Sequence, residues 1–70
     1  MYPHRYQITI SGNLDEAGRE AFGDFKIESG DMTTVLIADL DQAALYGALN
    51  RISSLGIEVL QLYRITSREE

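Results

Sequence analysis

Asp39 and Asp41 form an Asp-x-Asp pair, a spacing at which two carboxylates can share a divalent cation. No third or fourth oxygen ligand stands near them in the chain. Asp41 is better suited to capping a helix, where its carboxylate accepts a hydrogen bond from the unpaired amides of the first turn. His4 is the one histidine and lies in the expected N-terminal tail, so it can anchor neither a triad nor a multi-histidine metal site. There is no cysteine, which excludes a disulfide framework, thiolate catalysis and every cysteine-based zinc or iron–sulfur site. No nucleophile has a neighbouring base, and no glycine-rich phosphate loop carries a lysine. The residues therefore predict no catalytic set, no metal and no cofactor, and a protein that is not an enzyme.

What must position any site is read from the elements. Leu40 to Ile65 reads as a capped helix running into a strand: Asp41 is the N-cap, Leu40 staples onto Leu45, and Gly56 takes the left-handed conformation that ends the helix, with Ile57 against Ile52. Leu45, Ala48, Leu49, Ile52 and Leu55 recur at three- and four-residue spacing as one apolar stripe, with Gln42, Tyr46, Asn50 and Ser53 turned away. Gly47 falls off that stripe, among Ala43, Asn50, Arg51 and Ser54, as part of a solvent face or of a track open to another surface.

Earlier in the chain, Arg5 to Ser11 alternates, with Tyr6, Ile8 and Ile10 on one side, the period of a half-buried strand. Gly12 ends it. Asn13 is expected to cap a short helix with Glu16 reaching back to the cap, and Leu14, Ala17, Ala21 and Phe22 form its apolar side. Asp24 to Glu28 reads as a charged edge strand, Ser29 to Asp31 as a turn, Met32 to Asp39 as the returning strand, and Ile57 to Ile65 as the last strand.

The order is strand, helix, strand, strand, helix, strand. Right-handed crossovers put both helices on one face, which predicts an α+β, ferredoxin-like βαββαβ plait with a four-stranded antiparallel sheet. The second and fourth strands are expected at the edges, the first and third at the centre and running parallel to each other. The chain reads as a single domain over residues 1–70, with tails at about 1–4 and 67–70.

Two helices shield one face of such a sheet, so the opposite face decides the function. The third and fourth strands are apolar on both sides. The expected register sends Leu36, Ala38, Leu60 and Leu62 to the helices and leaves Val35, Ile37, Val59 and Tyr63 exposed, with Gln7, Thr9 and Gln61 among them. A contiguous apolar patch on a small protein marks a contact surface. The seven residues Gln7, Thr9, Val35, Ile37, Val59, Gln61 and Tyr63 are the candidate interface, and a homodimer or another protein partner is expected to bury it.

Seventy residues bury only about 60% of the unfolded surface, which favours help from a second subunit. Six basic against eleven acidic residues give a formal charge of −5, so phosphate-rich partners and anionic lipid are repelled on average. No nucleic-acid partner and no membrane partner is expected. MYPHRYQITI lacks the apolar run of a signal peptide and no stretch reaches the roughly 20 apolar residues of a span, so a cytoplasmic location is expected.

Three resemblances add to this reading. ITISGNL, Ile8 to Leu14, resembles the first-strand motif of RNA-recognition domains, but Thr9, Val35 and Ile37 stand where those domains present aromatic residues, and their aromatic- and glycine-rich third-strand motif is missing. The topology and the loop SGNLDEAG resemble ACT-type regulatory domains, which implies a small-molecule ligand such as an amino acid at Gly12, Asn13 and Asp15; turn formation and capping explain the same residues locally. The second half, with Asp41, Gln42, Ala43, Ala44, Leu45, Gly47, Leu49, Leu55, Gly56 and Arg64, is similar to short uncharacterised bacterial proteins with the pattern DQAALxGxLxxxxxLGxxxxxxxR, which implies no particular activity.

Overall fold

The structure is a computed structural model and describes residues 3–65. The expected tail at 67–70 and the first two residues of the N-terminal tail lie outside the described residues. The elements are β1 (His4–Ser11), α1 (Glu16–Ala21), β2 (Lys26–Ser29), β3 (Thr33–Leu40), α2 (Gln42–Ser54) and β4 (Val59–Ile65). His4 thus belongs to the first strand, and β2 and β4 each begin two residues later than their alternation suggests.

The strands form one sheet in the order β2-β3-β1-β4, every neighbouring pair antiparallel. The molecule is the ferredoxin-like plait predicted, with one correction. β1 and β3 are central but run antiparallel, Ile8 opposite Leu36 and Tyr6 opposite Ala38. The crossover from β1 through α1 skips one strand position. β3 fills that gap after the β2–β3 reversal, so it opposes both neighbours.

α2 is built as its sequence dictates. Ala44 N–H donates to Asp41 Oδ1 at 2.8 Å. At the far end Gly56 has φ +73°, its N–H donates to Ser53 O at 3.0 Å, and Ile57 N–H donates to Ile52 O at 3.2 Å. This is the Schellman pattern, and it consumes carbonyls the helix end would otherwise leave unpaired. α1 departs from expectation: its N-cap is Asp15, which accepts from Gly18 N–H at 2.8 Å, and not Asn13. Starting two residues late, the helix turns Ala17 out to solvent and buries Gly18.

The core lies between the helices and one sheet face: Ile8, Ile10 and Leu36 from the strands, Leu14 and Phe22 from the α1 segment, Leu45, Ala48 and Ile52 from α2. Phe25 meets Phe22 edge-on at 5.4 Å between ring centres. Arg51 lies over the Phe22 ring at 5.1 Å and donates to Ala21 O, which ties α2 to the end of α1. Thr34 is buried opposite Ile10, and its hydroxyl donates to Gly12 O at 2.7 Å. That bond anchors the turn after β1 to the sheet.

Candidate interaction surface

β4 is an edge strand, and all seven of its residues are exposed. Five of the seven, Val59, Leu60, Leu62, Tyr63 and Ile65, are large apolar or aromatic side chains. Leu62 pairs with Ile8 and so points to the helix side as expected, yet it stays 40% accessible, and Leu60 48%. The helices do not shield this pair. Leu55, expected in the buried stripe of α2, is its C-cap and remains 47% accessible.

The ladder between β1 and β4 changes register between Thr9 and Ile10: Thr9 pairs with Gln61 and Ile10 with Val59. Leu60 is therefore the extra residue of a bulge, which sharpens local twist. The shift moves Val59 opposite Ile10, on the helix side, and out of the candidate interface on the open face.

On that open face the pairing brings the other six candidates together in two rows of three. Gln7 stands between Ile37 and Tyr63, and Thr9 between Val35 and Gln61. Val35 and Ile37 are half-buried, not exposed as expected, because Glu28 and Lys26 of β2 stand opposite them. Charged groups frame the patch. Arg5 Nε donates to Asp39 Oδ1 at 3.0 Å, and Lys26 Nζ lies 3.4 Å from Glu28 Oε2. Asp39 also raises the pKa of the Arg5 guanidinium above its ordinary value, chiefly through that hydrogen bond. Tyr63 and Gln61 are exposed, with Tyr63 Oη donating to Gln61 Oε1 at 3.2 Å.

The expected ligand loop is largely self-satisfied. Gly12 has φ +78°, its N–H donates to Met32 O at 2.7 Å, and its carbonyl accepts from Thr34. The Asp15 carboxylate caps α1. Asn13 and Asp15, but not Gly12, line a shallow cavity of about 230 Å³ with Leu14, Gly18, Leu55 and Ile57. A second cleft, of about 410 Å³, runs past Gly47 between Phe25, Leu40 and Arg51. Asp39 and Asp41 do not converge on a cation, since one pairs with Arg5 and the other caps α2. Among the described residues no cluster of three or more metal-ligating side chains occurs. Among the described residues no helix is long and apolar enough to cross a membrane.

Sequence reasoning missed Leu55, Leu60 and Leu62 as surface residues. The available signal was an outer strand oily on both sides beneath only two helices, one of them six residues long.

The fold and this surface define a ferredoxin-like plait whose fourth strand is open along its whole length. The chain belongs to the family described as a domain of unknown function, DUF8691, whose model matches residues 5–63. Neither the curated proteins nor the solved structures contain a match to it.

Proposed function

We propose that this chain is a non-enzymatic protein-interaction or regulatory module that self-associates, and that the surface it uses is centred on β4. The observation that carries this reading is the exposure of Leu60, Leu62, Tyr63 and Ile65 along one edge strand of a 70-residue protein. Exposed apolar groups so close together are buried on association, and the gain is about 25 cal/mol per Å² of apolar surface removed from water. The open face extends the surface through Tyr63 and Gln61 to Gln7 and Thr9. Light scattering after size exclusion should return twice the chain mass, falling to one chain on dilution. A single-chain mass at every concentration removes the reading.

A second reading, a sensor of a small metabolite, has the cavity beside Asn13 and Asp15 in its favour. A thermal-shift screen of amino acids should then find a stabilising ligand whose effect Asn13→Ala abolishes, because a ligand that binds only the folded state raises its melting temperature.

A further inference from the structure

The two borders of the sheet are unlike. β2 is four residues long and presents Lys26 and Glu28, the short charged edge that resists strand addition. β4 is seven residues long, has no proline, and carries one charge, Arg64. In a molecule of net charge −5 this border carries no carboxylate, so it adds no acidic like-charge repulsion between two copies.

The backbone groups facing outward can be assigned. Ser11 N–H donates to Glu58 O, toward β4, and Gly12 N–H donates to Met32 O, toward β3. Alternation along an antiparallel ladder then directs the amides of Thr9, Gln7 and Arg5 toward β4, where they face Gln61, Tyr63 and Ile65. It follows that Leu62 and Arg64 turn their own N–H and C=O groups away from β1, to the unpaired side.

We propose that the partner of this surface is a second copy of the chain, joined edge to edge by antiparallel pairing of β4 with β4 into a continuous eight-stranded sheet. This rests on the self-association reading above and specifies its geometry. A twofold axis at Leu62, perpendicular to the sheet, is the register that centres the pairing on the regular part of β4. It sets Leu62 against Leu62 and Gln61 against Tyr63, with Arg64 facing the bulge at Leu60. Tyr63 Oη donates to Gln61 Oε1 within one chain, which leaves the Gln61 amide N–H groups to donate to the Tyr63 hydroxyl across the axis. Both copies' helices fall on the same side, where the exposed Leu62 of each copy meets its equivalent and Leu60 flanks it. The charged β2 borders lie outermost, so growth stops at two.

Arg64→Pro tests the pairing. It removes an amide that faces away from β1, and proline is tolerated on that side of an edge strand. The folded monomer should persist by circular dichroism while the dimer weakens about ten- to hundredfold, from one hydrogen bond lost per chain. Should Arg64→Pro fail to fold, Leu62→Lys, which opposes two ammonium groups at the axis, should give the same loss. In the wild type the Leu62 and Arg64 amides should exchange with solvent more slowly as protein concentration rises. A dimer that survives both substitutions, exchanges these amides at a concentration-independent rate and breaks instead with Ile37→Glu overturns the edge pairing and leaves self-association standing. A wild type that stays monomeric overturns both.

Discussion

Asp41 and Gly47 sit six residues apart on the same helix and answer to opposite physics. Asp41 satisfies an amide that otherwise has no partner, and its loss should cost about 1 kcal/mol in chemical denaturation as Asp41→Ala. At Gly47 a side chain would meet nothing within 4 Å, so no close packing requires the glycine. Gly47→Ala should therefore stabilise the fold by about 1 kcal/mol, the intrinsic difference between the two residues in a helix interior, read as a rise in the denaturation midpoint. A destabilising alanine there would mean that the cleft beside Phe25 and Leu40 is tighter than its lining implies. Gly56 differs from Gly47: open space surrounds it too, but its positive φ makes any side chain strained.

Among the elements, β1 and β4 make the sharpest contrast. Ile8 is wholly buried at the centre of the sheet, and Ile8→Ala should cost about 2–5 kcal/mol through lost transfer energy and the cavity left behind. Its neighbour across the ladder, Leu62, is half in water, so Leu62→Ser should cost far less in the monomer by the same denaturant measurement. Strand order, the α2 caps and the hairpin were legible in the sequence because each rests on local rules: alternation, Asp before an apolar stripe, glycine after it. The α1 cap was misplaced because Asn13 and Asp15 are both good cap residues, and a glycine three positions after Asp15 settles the choice only through the bond it makes. The direction of β3 relative to β1 follows from the hairpin once the skipped strand position is counted. The bulge at Leu60 had no local sign, because it depends on how two strands accommodate different lengths. Of the site, Tyr63 and Gln61 were legible as exposed; the accessibility of Leu60 and Leu62 was not.

For the molecule as a whole, a domain this small has few buried side chains to oppose the entropy of the chain, so association should be visible in its thermal stability. The melting temperature should be constant where the chain is monomeric and rise with the logarithm of protein concentration once the dimer forms, a coupling that a lone monomer lacks. Differential scanning calorimetry over a dilution series checks it.

Where β1 leaves the sheet, Ser11 grips Glu58, Gly12 grips Met32, and the buried Thr34 hydroxyl holds the turn from below. At the opposite end the cross-strand side-chain tie is the exposed Arg5–Asp39 pair, and such pairs contribute little in water. The sheet is thus stapled at one end and merely buttoned at the other. Opening should begin at the buttoned end, and the backbone around Arg5 and Ile65 should trade its protons for deuterium well before that around Ser11.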